Sequence, residues 1–425
     1  MGASEEYIRL IEAEKTTIAA GSAQVLNVRR DEAIAALKAR GLPERKDERY
    51  LYTDVEAALA PNYGINLRRR PLEYTLAEGW RKGTVRMVND QVDESEGQSG
   101  MWHGGVFAGS VGAAEREEEV KPERYVDCLR NAEGDGITAL GTALAQEGLF
   151  VYAQKGTNTD KPLEVDVLTA GRDIMVPRRM VVAVEDGARL KLTLRETSGD
   201  RARLLSVSVS EIYVGKGAVL ELNMLSETGR GHTLFDNIYV EQEEGSRMEV
   251  TSLTLRSGVT RRLIDHRFAG KGAELKLKGV VMEEAEERVD QNLRVEHSVG
   301  DCQSDILYKY VLDGQSVGAM AGKVYVAEGA EGTVSALRNN NLVVSEGARM
   351  YSQPTLEIYA DDVKCSHGST VGQPDEDALF YMYQRGIDRA TARKLLKQAF
   401  LSEVIGQLPL SPLKRHVCDL CNLCY

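Results

Sequence analysis

The sequence predicts a mainly β protein, with a parallel β-helix core between helical segments at its two ends. Three observations carry this expectation. First, one phrase recurs: Gly, a small residue, any residue, an apolar residue, any residue, an apolar residue. It appears as GARLKL (187–192), GAVLEL (217–222), GSRMEV (245–250) and GAELKL (272–277), with weaker copies GAEGTV (329–334) and GARMYS (347–352). Second, helical periodicity vanishes between about 150 and 372 and returns on either side. Third, Gly is plentiful at 40 residues and aromatics are sparse at 6%, which suits a turn-rich β architecture. The leading glycines lie 30, 28, 27, 57 and 18 residues apart, and 57 is close to two repeats of 28. A Gly-led turn feeding an alternating strand at this period marks a solenoid, because each unit buries its apolar face only against its neighbours. The glycine supplies the positive φ of the corner. Two or three strands per coil fit the spacing; an all-β sandwich with coincidental spacing is the alternative.

Residues 1–145 read as a helical and mixed region. Ser4 with Glu5 and Glu6 starts a first helix, whose Tyr7, Ile8, Ile11 and Ile18 lie near one face. Asp31 opens a second, and Gly41-Leu42-Pro43 stops it. GITALGTALAQEG (136–148) is a short helix that runs into the strand Leu149–Ala153. Residues 146–372 form the core. Residues 373–425 are helical again: Pro374 takes a first helical position, with Leu379, Phe380 and Tyr383 on the apolar side and Gly386 at the end. Asp388 caps a second helix with Leu395, Ala399, Phe400, Val404 and Leu408 along one stripe. This pair either covers the solenoid end or docks a partner.

Net charge is −12 and the sequence pI is about 5.3, which disfavours a nucleic-acid binder. No apolar run reaches the roughly 20 residues of a membrane span. The opening MGASEEYIRLIEAEK lacks the basic and apolar regions of a secretory signal, and Glu6 stands where myristoylation wants Ser or Thr. The expectation is a soluble, cytoplasmic protein whose six cysteines are free thiols or metal ligands rather than disulfides. GxxxxGK[ST], GxSxG and HExxH are absent, so no standard signature of nucleotide or peptide hydrolysis is present, and MWHGGVFAGSVG (101–112) is not a phosphate cradle.

The chemistry concentrates in LEIYADDVKCSHGSTVGQP (356–374). Cys365 and His367 are two residues apart after a strand-like run, so in extended chain both side chains point one way. Thiolate and imidazole together suit iron, zinc or an iron–sulfur cluster. Two ligands do not close a site, so a second segment or chain must supply the rest. The plainer reading is a buried Cys beside a turn His. Asp361 and Asp362 either bond the imidazole, attract a cation or cap a turn. The tail HVCDLCNLC offers His416, Cys418, Cys421 and Cys424 at a spacing known for iron–sulfur thiolates, or residues that simply dock the tail. Asn339, Asn340 and Asn341 read as turn residues or a side-chain ladder. His297 and Cys302 sit at an expected coil corner, and His232 and His266 read as structural.

With LEIYADDVKCSHGSTVGQ followed by DEDALFYMYQRGIDRATARKLLKQAFLSEVI, the chain resembles the SufB/SufD family of iron–sulfur cluster assembly proteins, on its SufD branch. The likeness is densest from Gln291 to Ile405. GITALGTALAQEGLFVYAQKGTNTDKPLEV, MVPRRMVVAVEDGARLKL and ERYLYTDVEAAL (48–59) extend it over most of the chain. Two phrases depart from the family pattern, MAG (320–322) and TVSALR (333–338), and the tail cysteines lie outside it. The resemblance implies a right-handed parallel β-helix and a non-enzymatic scaffold. It implies a heterodimer with a SufB-type subunit and a SufC-type ATPase on the C-terminal helices, with homodimers in the sister's absence left open. A nascent cluster shared at the scaffold interface would map onto His367, with Cys365 also in the motif. A purely architectural role beside a cluster-carrying sister is the alternative; a β-helix carbohydrate-active enzyme is the remote one.

Overall fold

A computed structural model describes residues 2–69, 85–93, 101–129, 134–199, 202–408 and 412–421. Its body is a parallel β-solenoid with two strands per coil. One strand of each coil joins a first ten-stranded sheet and the next joins a second. The first sheet runs Leu163–Thr169, Arg189–Ser198, Val219–Glu227, Arg247–Arg256, Glu274–Glu283, Gln303–Leu312, Val334–Val343 and Lys364–Gly372. The second alternates with it, from Gly148–Ala153 and Ile174–Val184 to Val317–Val326 and Arg349–Ile358. The region before the core starts both sheets: Val85–Val88 pairs with Leu163–Thr169, and the hairpin Met101–His103/Val106–Ser110 pairs antiparallel with Gly148–Ala153. Gly104 and Gly105, both at positive φ, make that hairpin's turn.

Register stacks like on like. Leu192, Leu222, Val250, Leu277, Ile306 and Leu337 form one interior column across successive coils. Each such side chain taken from water contributes about 2 kcal/mol, which no single coil could bury alone. Gly187, Gly217, Gly245 and Gly272 have φ between 61° and 69° at successive corners. The long gap in the repeat holds one more corner of the same series, at Asp301 (φ 62°), where a non-Gly residue adopts the left-handed turn. Cys302 then takes the buried position that Ala188, Ala218, Ser246 and Ala273 hold in the other coils. GARMYS belongs to the opposite corner, between Val334–Val343 and Arg349–Ile358, which explains its short spacing.

Helices Ala3–Ala20, Arg30–Arg40 and Gly136–Leu144 pack together on the outer face of the second sheet, through Ile11, Ile18, Leu37, Leu140 and Leu144 against Leu205, Val207 and Phe235. Buried Arg30 donates to the carbonyls of Ala143 (2.6 Å) and Ala145 (2.8 Å), satisfying the C-terminal end of Gly136–Leu144.

The C-terminal helices do not cap the solenoid. Glu376–Gln384, N-capped by Asp375, packs against Arg389–Ile405, N-capped by Asp388, which turns back along the outer face of the first sheet. Leu401, Val404, Ile405 and Leu408 pack there with Val280, Leu307, Val311 and Leu342. The expected stripe is thus shifted: Leu395 is exposed, and of Leu379, Phe380 and Tyr383 only Leu379 is buried. Lys309 pins the second helix by donating to Phe400 O (2.8 Å) and pairing with Glu403 (2.6 Å). A further helix, Pro412–Leu420, follows on the same flank. Among the described residues no helix is long and apolar enough to cross a membrane.

Candidate functional site

Because the C-terminal helices lie on the flank, the last coil is left open. Arg349–Ile358 and Lys364–Gly372 are the edge strands of their sheets at this end, and their residues are exposed or half-buried. Lys364–Gly372 pairs with Val334–Val343 so that Cys365 stands over Ser335, His367 over Leu337, Ser369 over Asn339 and Val371 over Asn341. The four residues beneath are buried, so the four above end the interior columns. The column of leucine, valine and isoleucine through the solenoid therefore terminates in His367.

Cys365 and His367 thus share one face of an exposed edge strand, as their spacing requires. Cys365 is half-buried against the core cluster, and this burial pushes its thiol up, partly offset by a backbone hydrogen bond from Ser335. His367 is exposed. Asp361 and Asp362 sit in the turn before the strand, where the Asp362 carbonyl accepts from Gly332 N (2.7 Å). Among the described residues no group of three or more His, Cys, Asp or Glu side chains is gathered to hold a metal ion.

A polar network that the sequence indicated only as an asparagine run supports this end. Asn341 Nδ2 donates to Asn339 Oδ1 (2.9 Å) and to Thr370 O (2.8 Å), and Ser352 Oγ donates to Asn339 Oδ1 (2.7 Å). Ser352 and Ser369 join the two edge strands at 2.6 Å. Asn339 and Asn341 lie within the strand Val334–Val343 and point into the solenoid interior rather than forming a turn, so the ladder reading describes them. Deeper in the solenoid lie ion pairs that charge alone would place outside, although each member shares the inward parity of its strand: Arg178 with Glu196 (3.0 Å) and Arg262 with Asp236 (2.7 Å). The signal for them is register, since Arg178, Ser208, Asp236 and Arg262 form one interior row.

The remaining histidines and cysteines lie apart from the open end or beneath it. His297 is buried with Nε2 2.9 Å from Ser304 Oγ, and burial lowers it to about 4. His266 bonds Gln242 Oε1 (2.8 Å) and His232 bridges Ser198 and Ser206 (3.1 and 2.9 Å); burial lowers both to about 3. Cys302 is enclosed at its corner, its thiol raised by burial. In the tail, His416 Nε2 lies 2.6 Å from Glu227 Oε2, while Cys418 and Cys421 are buried in the flank cluster. Burial raises both thiols, Cys421 to about 12. Cys424 lies outside the described residues.

Comparison with known proteins matches two family models in tandem. Residues 1–165 match the SufBD protein N-terminal region, and residues 167–400 match the SufBD core domain of SUF system FeS cluster assembly. The chain is 29% identical to the iron-sulfur cluster assembly protein SufD of Escherichia coli K12, covering 65% of this chain and 67% of that one. It is 32% identical to an iron-sulfur cluster assembly SufBD family protein of Mycobacterium tuberculosis H37Rv, covering 73% and 81%. Over 95% of this chain and 87% of the relative, it is 24% identical to the Arabidopsis thaliana chloroplastic protein ABCI7.

Proposed function

The chain belongs to the SufBD family of iron–sulfur cluster assembly proteins, and from that premise we propose that it is a non-enzymatic scaffold subunit that presents Cys365 and His367 to a nascent cluster shared with a SufB-type partner. One observation carries the reading: the two side chains end the interior columns of the solenoid, side by side on an open edge strand. Open strand edges are templates for pairing with another chain. A second solenoid docked on this coil would bury the two edges and bring its own ligands over the exposed face. The cluster is cargo, held by ligands from both subunits until it is passed on. Imidazole and thiolate are the chemistry for that: the imidazole binds while neutral, and iron displaces the proton of the half-buried thiol. A SufC-type ATPase would dock on the exposed side of the helices between Glu376 and Ile405, where Phe380, Tyr381 and Leu395 face solvent. Rotation of those helices against the flank would carry its motion to the core.

Val371 ends the fourth column and is 56% exposed, so it tests the pairing surface without touching the ligands. In cells co-expressing all three subunits, Val371→Asp is expected to lose the SufB-type partner on purification while keeping the SufC-type one, with an unchanged melting temperature. Recovery of the SufB-type partner at wild-type stoichiometry would contradict pairing through this coil.

A further inference from the structure

The tail motif HVCDLCNLC takes no part in the site at the open coil, and the match to the family core ends at residue 400, before it begins. Its first two cysteines nonetheless share one environment. Helix Pro412–Leu420 lies on the outer face of the first sheet, with Val417, Cys418 and Cys421 buried alongside Leu225, Leu253 and Leu255. Cys421 N still bonds to Val417 O at 2.9 Å, so helical spacing extends to Cys421. Residues three apart in a helix have Cα atoms about 5 Å apart, inside the ~4.4–6.8 Å range that a disulfide bridges. Cys421 also lines a cavity of about 810 Å³ between this flank and Arg389–Ile405. The solenoid wall of that cavity carries Glu227, Glu283 and Glu287, and the helix wall carries Arg393, Lys394 and Lys397. The other described cysteines are elsewhere: Cys302 in the interior, Cys365 at the open coil, Cys128 exposed before the core.

We propose that Cys418 and Cys421 are a dithiol pair that closes to a disulfide, and that this bond sets how firmly the C-terminal helix is strapped to the solenoid. The oxidant is a low-molecular-weight disulfide, and a cavity with one acidic and one basic wall suits a zwitterionic one such as oxidised glutathione. When the helix lifts, Cys421 loses its proton to solvent and attacks one sulfur of the reagent. The reagent's S–S bond breaks, one small thiol leaves, and Cys421 carries a mixed disulfide. Cys418 then attacks the Cys421 sulfur and releases the second small thiol. Two electrons pass from the protein to the reagent, giving one intramolecular disulfide and two small thiols. Burial shields both sulfurs, so exchange is slow while the helix is docked and accelerates when it lifts. Closing the bond draws both sulfurs together and away from the apolar contacts that hold the helix down.

The test uses the full-length protein without iron, equilibrated in glutathione buffers of rising oxidised fraction and acid-quenched. Peptide mass spectrometry with fragmentation then separates a Cys418–Cys421 bond from bonds to Cys424. The expected result is a Cys418–Cys421 disulfide that persists in Cys424→Ser, with hydrogen exchange over residues 412–421 several-fold faster in the oxidised protein. In Cys418→Ser, one glutathione is expected on Cys421. A bond that disappears in Cys424→Ser would overturn the proposal. So would a pair that stays reduced at the most oxidising ratio, or an oxidised protein that exchanges at the reduced rate. None of these readouts involves a cluster, so the outcome is independent of the proposed scaffold role.

Discussion

At the scale of single residues, two kinds of glycine hold the solenoid, and they fail differently. Gly217 sits at a corner with φ 61°, and an added Cβ would meet nothing within 4 Å. Gly217→Ala therefore isolates the torsional cost of the left-handed turn, about 1 kcal/mol. Gly279 lies in a strand under the ring of Tyr308, and a Cβ there would come within 2.1 Å of it. Gly279→Ala must displace that buried ring and is expected to cost well over 2 kcal/mol. Chemical denaturation of both variants checks the order; equal costs would contradict the stacking of Tyr308 on Gly279. The corner glycines were legible from the repeat. Asp301 was not, because a non-Gly residue in the same conformation breaks the phrase that reveals it. The same substitution hid why Cys302 is buried: it fills the small-residue position of its corner, a role that can be named only once the missing coil is counted.

At the scale of elements, alternation and repeat length were enough to give the solenoid, and a two-residue spacing was enough to put Cys365 and His367 on one face. What the sequence did not convey is where the C-terminal helices go. A solenoid end favours a cap, and the helices carry an apolar face, so covering the end was one natural expectation. The outer face of the first sheet decides otherwise. Leu225, Leu253, Val280, Leu307 and Val311 form an apolar strip on that face. Strand alternation assigns those positions to solvent, and only register across coils aligns them into a surface wide enough for a helix. The shift of the buried stripe from Leu395 to Leu401 and Ile405 follows from it. Leu401→Ala is expected to cost about 2–3 kcal/mol locally. Hydrogen exchange should quicken across residues 389–405 while strands such as Arg288–His297 keep their protection. Loss of protection in those strands as well would mean the helix is integral to the solenoid rather than mounted on it.

At the scale of the molecule, the interior is polar at chosen levels, and this makes stability depend on pH. His266 is held at about 3 by burial, against 6.5 for an exposed imidazole. As pH falls below about 6.5 the unfolded chain takes up this proton and the native protein does not, so the contribution present at neutral pH is lost on acidification. Buried Glu283, raised well above the ordinary carboxylate range, acts in the opposite sense as pH rises. Comparing variants separates the two: the loss of melting temperature caused by His266→Gln should shrink between about pH 7 and pH 5. A pH-independent difference would mean that His266 titrates normally. The larger architecture places the open coil at one end and the helix Arg389–Ile405 on one side, so the two docking surfaces proposed above lie on different faces. The most direct measurement is iron and acid-labile sulfide in the complex purified with SufB-type and SufC-type subunits, comparing the native chain with His367→Ala. A large fall in both, with the complex intact, is the predicted result. Unchanged iron and sulfide would contradict the assignment of His367 and leave this chain an architectural partner, with the cluster ligands wholly on its sister.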